Sequence, residues 1–302
     1  MAVDAPGGGP GDVNSAVLVT PSYGADFERC RLLCETVDRH VAGFSKHYLL
    51  VEGRDVAQFN TLRSLHREVI DERDLLPSWL KSFADPTSLF RRRIWLSLRT
   101  RPLRGWHVQQ MRRIALAKAV SEQTLIYVDS DVAFLRPFDC GAMVKNGRLR
   151  LLRRDHALAQ QSSDEHRVWS ANAGRILGLD GIPSDHDYIG TLIAWDRRTV
   201  LGMIERIEDV SARSWVESLG ASRQFSECMI YGRYVDDVLG GSGHVADATE
   251  YCRVYWTPPG DGPVRLDAFV DSLAPHQVAV GIQSFIGVDI AEIRRIAGLG
   301  TG

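Results

Sequence analysis

Short apolar runs alternate along the chain with stretches in which apolar residues recur every three or four positions, and this alternation predicts the order of its elements. Ala16 to Thr20 (AVLVT) is a β-branched run closed by Pro21, which predicts a strand. From Asp26 to about Val41 the apolar Leu33, Val37 and Val41 recur at a spacing of four, which predicts a helix. A second apolar run, His47 to Val51, ends at Glu52-Gly53, and a third strand is expected from Arg67 to Ile70, ahead of the acidic DERD segment. Strand and helix in alternation predict an α/β fold, with a mainly parallel sheet flanked by helices. Ligands of such sheets collect outside the carboxyl ends of the strands.

Residues 72–104 follow neither period; they hold Pro77, Pro86, Pro102, the run Arg91 to Arg93 and the aromatic Trp79, Phe83, Phe90 and Trp95, and read as an insertion of undefined shape. A helix is predicted from Gly105 to Val120, with Met111, Ala115 and Ala119 on one stripe. It leads into the strongest strand signal of the chain, TLIYV (Thr124 to Val128), which ends in Asp129-Ser130-Asp131. Beyond it come a strand at 148–152, a polar stretch rich in His and Asp, a strand at 191–196 and helices near 197–208 and 225–238. A strand from Gln277 to Ile282 and an amphipathic helix from Asp289 to Ala297 close the chain. Without a repeat, coiled coil or low-complexity linker, residues 15–302 read as one domain. Residues 1–14, rich in Gly, Pro, Ala and Asp, read as a flexible leader too poor in apolar groups to repay ordering.

Composition narrows the function classes. The 302 residues are 44% hydrophobic and 25% charged, as in an ordinary globular protein. Thirty-six Lys plus Arg against 38 Asp plus Glu leave a formal charge of -2, so no global basic field holds nucleic acid, and an anionic ligand must meet a local site. No apolar run reaches the roughly 18 to 20 residues of a membrane span. The start, MAVDAPGGGPGD, lacks the basic and apolar regions of a secretory signal, so the expected location is cytoplasmic. The five cysteines (Cys30, Cys34, Cys140, Cys228, Cys252) are odd in number and form no C-x-x-C pair, which predicts buried thiols.

The chemistry is expected at Asp129 and Asp131. They stand at i and i+2 where a buried strand runs out, and in an extended backbone that spacing points both carboxylates to the same side. Mg²⁺ and Mn²⁺ prefer such oxygen donors, often with one or two protein carboxylates and substrate phosphates completing the shell. The apolar run before the pair and the hydrophobic VAFLRPFD after it are expected to hold the turn rigid.

The segment GWHVQQMRRIALAKA…LIYVDSDVAFLRPFD resembles the D-x-D region of metal-dependent nucleotide-sugar glycosyltransferases of the GT-A fold, especially a bacterial branch with a G-W-x-x-Q-Q helix before a D-S-D strand. TPSYGAD (Thr20 to Asp26), YIGTLIAWDR, FSECMIYGRYV and IQSF are similar to further segments of that family, so the likeness spans roughly residues 16 to 285. The resemblance implies a GT-A-like, Rossmann-like domain with a nucleotide-sugar half at 15–140 and an acceptor half at 141–302. It implies transfer of a hexose-type sugar from a nucleoside-diphosphate sugar to a small-molecule or glycan acceptor, with Mn²⁺ or Mg²⁺ as cofactor. Asp131 would bind the metal, and Asp129 the metal or the donor ribose. His276 is the expected third ligand, with His244 in reserve. Thr20, Pro21, Tyr23 and Asp26 would line the nucleotide pocket; Asp26 is equally suited to capping the following helix. Gln109, Gln110 and Arg113 lie within about one helical turn, so some of them can face the cleft together. Glu227 is the preferred general base, with Asp185 and Asp187 as alternatives, and Trp106 and Trp195 would form an acceptor platform.

Two other readings share the motif. A haloacid-dehalogenase-like phosphatase would use Asp129 as nucleophile, and needs a later lysine, for which Lys145 is the only candidate, and a late acidic pair such as Asp236-Asp237. A non-catalytic nucleotide-sugar binding protein would use the same side chains without turnover.

Overall fold

Because the strands of the central sheet are apolar on both sides, the sheet must be covered on both faces. In chain order the first elements are β1 (Ala16–Pro21), α1 (Phe27–His40), β2 (Lys46–Val51), β3 (Arg67–Asp71), β4 (Lys81–Ala84), β5 (Arg93–Leu96), β6 (Leu103–Arg104), α2 (Gly105–Ala119), β7 (Thr124–Val128) and β8 (Val132–Phe134). There follow β9 (Arg148–Leu152), α3 (Asp164–Ile176), β10 (Leu192–Asp196), α4 (Arg197–Ser211), α5 (Glu227–Arg233), β11 (His244–Asp247), β12 (Cys252–Tyr255), β13 (Ala279–Ile282) and α6 (Ile290–Ile296). The structure, a computed structural model, describes residues 16–90, 92–160, 164–256 and 265–300; the leader expected at 1–14 lies outside them.

The central sheet has the order β10-β7-β1-β2-β3, with β7, β1, β2 and β3 parallel and β10 antiparallel at one edge. This is the expected α/β architecture, a single mixed domain with a mainly parallel sheet. Alternate residues face opposite covers. Val17, Val19, Leu125, Tyr127, Ile193 and Trp195 pack with Met111 and Ile114 of α2 and with Met203 and Ile207 of α4. Ala16, Leu18, Ile126, Val128, Leu192 and Ala194 pack with Leu33 and Val37 of α1 and Phe134 of β8. After β3 the chain returns to the far side of β1 to form β7, so the strand order reverses between β1 and β7. Crevices outside the carboxyl ends of strands at such a reversal are where open α/β sheets bind ligands. The two loops leaving those strands are residues 22–26 and 129–131.

A second sheet, β12-β13-β8, begins where the Asp129-Ser130-Asp131 segment ends, and β13 runs antiparallel to β8. A third joins β9 and β11. The insertion at 72–104 resolves into a short helix, Glu72–Leu75, and the antiparallel sheet β4-β5-β6. The polar stretch after β9 contains α3, which buries Ser170 and Ala173; small residues on the inward face leave little periodic apolar signal.

Trp195 is a core residue and does not form an acceptor platform. Its ring lies 4.6 Å from that of Tyr127 and is stacked 4.8 Å from that of Tyr231, on the covered face of β10. Trp195→Ala is expected to lower stability by about 3–5 kcal/mol, read from denaturant unfolding, because the surrounding rings cannot close the cavity.

Candidate functional site

Asp129-Ser130-Asp131 forms a tight turn, closed by a hydrogen bond from Val132 N to Asp129 O at 3.2 Å. The turn is pinned to both sheets: Asp129 N donates to Thr191 O at 3.4 Å beside β10, and Ile282 N of β13 donates to Asp131 O at 3.0 Å. The two carboxylates do reach one cavity, although a turn at the junction of two sheets brings them there instead of the extended i, i+2 geometry. The cavity, about 670 Å³, is also lined by Asp26, Trp106, Gln109, Gln110, Arg113, Glu227 and Glu250. It occupies the crevice between the β1 and β7 loops, where the strand order reverses.

Arg113 organises one wall. Its side chain is buried, donates through Nη1 to Glu227 Oε1 at 2.7 Å and through Nη2 to Asp129 Oδ1, and so joins α2, the β7 turn and α5. Gln110, three residues earlier on α2, accepts from Glu227 N at 2.9 Å, and Tyr127 donates to Arg113 O at 2.9 Å. Burial works against the guanidinium charge, but Asp129 and Glu227 more than offset it, so the Arg113 pKa rises. Burial pushes the Glu227 carboxyl up against the opposing pull of Arg113. Arg113 Nε is buried with no hydrogen-bond partner.

Asp131 is the least compensated group at the site. Its Oδ1 is buried and accepts no hydrogen bond. Desolvation first, then the neighbouring charges of Asp129 and Asp26, push its pKa up to about 7, with Arg29 pulling in the opposite direction. Arg29 is itself tethered, donating to Ile282 O at 2.9 Å and Val288 O at 3.2 Å. Burial also raises Asp26, although Arg29 opposes the shift. The donors are all carboxylate oxygens, as a hard divalent cation requires. Among the described residues no group of three His, Cys, Asp or Glu side chains is arranged to hold a metal, so a cation here would depend on ligand oxygens as well.

Aromatic rings also line the cavity. Trp106 lies 5.2 Å from Trp169, whose ring stacks on His166 at 5.1 Å. Arg154 lines the cavity beside them, paired with Glu250 and with Asp187, the latter at 2.7 Å. Trp169, His166, Arg154 and Glu250 are functional candidates that the sequence reading missed. Arg154, His166 and Trp169 fall in or beside the stretch that read only as polar and rich in His and Asp, and Glu250 left no local signal.

A family of unknown function, DUF6492, matches residues 15–256. The chain belongs to this family. No curated protein matches it. Among solved structures, an active-site mutant of LgtC is similar in chain path: it is 12% identical, the match covers 95% of this chain and 97% of that one, and the TM-score is 0.49.

In this DUF6492 protein several expected site residues lie away from the main cavity. Thr20 and Pro21 are buried within β1, Thr20 with its Oγ1 2.9 Å from His47 Nε2. Burial above all, with Arg67 adding to it, drops His47 to about 3, so the imidazole stays neutral. Tyr23 lines a second cavity of about 410 Å³ that shares Trp106 and Gln109 with the first; the loop behind it is held by Gly24 N donating to Asp55 Oδ2 at 2.7 Å. His276 is exposed beside Asp247 and Gln277, because it precedes β13 while Gln283 and Ser284, just past the far end of that strand, line the cavity. His244 is buried against Tyr231, with Nε2 2.8 Å from its hydroxyl. Neither histidine lines the cavity that holds the carboxylate pair.

Asp185 is exposed, 3.9 Å from His156. Asp187 sits behind the aromatic wall: burial raises its carboxyl, but His166, 3.5 Å away, and Arg154 prevail and hold it at about 2, too acidic for a base at neutral pH. Lys145 lies 3.9 Å from Asp247, Asp236 pairs with Arg153 and Asp237 with Arg233, so none of the three reaches Asp129.

Two expectations follow. Thr20→Val leaves His47 Nε2 unpaired and costs about 1–3 kcal/mol in unfolding experiments without altering ligand affinity. For Asp131, the folded carboxyl holds a proton that the unfolded chain releases near pH 4, so this group erodes stability as pH rises from about 4 to about 7. In chelator-treated protein, Asp131→Asn is expected to remove that slope and to raise stability at pH 8 by about 1–3 kcal/mol, read from melting curves across pH.

Proposed function

We propose that the protein is a divalent-metal-dependent glycosyltransferase that moves a sugar from a nucleoside-diphosphate sugar to an acceptor hydroxyl. One observation carries the reading: two buried, unpartnered polar atoms of opposite character belong to side chains lining one cavity, the acceptor Asp131 Oδ1 and the donor Arg113 Nε. A buried polar atom without a partner costs about 1–3 kcal/mol, and a metal diphosphate offers a cation to the first and anionic oxygens to the second. The likeness of the LIYVDSDV segment to the D-x-D glycosyltransferases supports the same assignment.

Asp131 and Asp129 would hold the cation, which when bound neutralises charge developing on the leaving diphosphate. Arg113 supplies a fixed positive charge to the same region and keeps Asp129 oriented. Tyr23, at the second cavity, stacks on the nucleobase, while Gln109, shared by both cavities, and Asp26 take the ribose and sugar hydroxyls. Trp106 with Trp169 presents aromatic surface to the acceptor. Glu227 takes the proton from the acceptor hydroxyl as that oxygen bonds to the anomeric carbon and the carbon–oxygen bond to diphosphate breaks. Its burial-raised pKa makes it a stronger base than an exposed carboxylate. Within this reading residues 15–140 supply most of the donor site and 141–302 much of the acceptor site.

The test is a thermal-shift series with nucleoside diphosphates and nucleotide sugars, each with and without Mn²⁺. Stabilisation should require nucleotide and metal together, approaching about 3 kcal/mol when the ligand is a hundredfold above its Kd. Asp131→Asn should abolish the metal-dependent part and any sugar transfer. No response to any nucleotide, beside a clear response to phosphate monoesters, would overturn the proposal in favour of a phosphatase.

A further inference from the structure

Five of the twelve large apolar side chains that stand exposed among the described residues fall between 83 and 98: Phe83, Leu89, Phe90, Leu96 and Leu98. The register of β4, β5 and β6 explains why they gather. Phe83 lies opposite Ile94, Lys81 opposite Leu96 and Ile94 opposite Arg104, so these residues share the outer face of the small sheet. Ser82 and Leu103 lie opposite Trp95, and the buried Trp95 and Leu103 mark the inner face. At the tip of the β4–β5 connection, Leu89 and Phe90 adopt left-handed backbone angles, φ 52° and 62°, which bulky residues rarely enter. Asp85 accepts from Thr87 N at 2.9 Å and Ser88 Oγ accepts from Arg92 N at 2.9 Å, so an ordered turn holds these side chains out, 76% and 67% exposed.

Charge surrounds this apolar face. Residues 81–104 contain seven basic residues and one acidic residue, in a chain whose formal charge is -2. The acidic residue is Asp85, whose carboxylate is engaged by Thr87. Among the described residues of this stretch, only Arg99 forms an ion pair, with Glu217 at 3.6 Å. Phe83, Leu89, Phe90, Leu96 and Leu98 beside uncompensated Lys81, Arg92, Arg101 and Arg104 combine the features of an interfacial surface: apolar groups for the acyl boundary and cations for lipid phosphates.

We propose that this face docks on an anionic lipid bilayer. No helix among the described residues is long and apolar enough to cross a membrane, so the association is peripheral. β6 continues directly into Gly105 and Trp106, and Trp106 lines both cavities, so docking sets the cleft beside the lipid surface. The binding does not depend on what reaction the cleft performs.

The test is co-sedimentation of the full chain with phosphatidylcholine vesicles, with and without phosphatidylglycerol. Binding is expected only with phosphatidylglycerol and should weaken as salt is raised. Leu89→Asn with Phe90→Asn, a residue type that tolerates left-handed backbone, should lower partitioning by about tenfold at unchanged charge and unchanged melting temperature. Lys81→Glu with Arg101→Glu should lower it by at least about tenfold. Equal binding to neutral vesicles, no binding to either, or a concentration-dependent dimer that the Leu89/Phe90 double variant dissolves would each overturn the proposal.

Discussion

A guanidinium shielded from water must be compensated where it stands, and Arg113 is compensated by two carboxylates from two different elements. Breaking one arm of a buried pair leaves an uncompensated charge at a cost of about 3–5 kcal/mol. The Arg113 contacts with Asp129 and Glu227 therefore hold α2, the turn after β7 and the first turn of α5 in one arrangement. Ser226 reinforces it by capping α5, accepting from Met229 N at 3.5 Å, and Gln110 takes the Glu227 N–H. The cavity wall is thus built from core interactions, and its shape is as stable as the core.

Asp131 is the counterpart that the fold leaves unsettled. The same turn that delivers Asp129 to Arg113 delivers Asp131 to a position with two acidic neighbours and one opposing cation, Arg29. A natural chain can carry such a group only because the surrounding packing is strong: β7 is buried along Leu125 to Val128, and β8 is buried throughout. Local destabilisation within a rigid frame is the usual signature of a site shaped for something other than folding.

The legibility of the sequence follows the strength of burial. The strand Thr124–Val128 matches its expected bounds, because a buried strand is an apolar run with sharp ends. The carboxylate pair was legible for the same reason, standing where such a run stops. Arg113 and Glu227 were legible as candidates, but not as partners, since a contact between residues 113 and 227 leaves no local mark. The short strands β11 and β12 and helix α3 escaped because their inward faces are short or made of small residues. His276 was misplaced for a geometric reason: a strand has two ends, and proximity in sequence to β13 does not say which end meets the cavity.

The two acidic residues of the D-S-D turn are consequently not equivalent. Asp129 is engaged by a permanently charged partner, so any cation that recruits it must compete with Arg113 or share the carboxylate through its other oxygen. Asp131 has no such partner at Oδ1 and gains most from a cation. The inequality gives the pair a division of labour: Asp131 supplies the driving force for cation binding, and Asp129, held in place by Arg113, supplies direction. Substituting asparagine at 131 removes the charge that the fold has left uncompensated, whereas the same change at 129 strips a buried guanidinium of one of its two partners. The first is therefore a clean probe of binding, and the second a change to both the site and its scaffold.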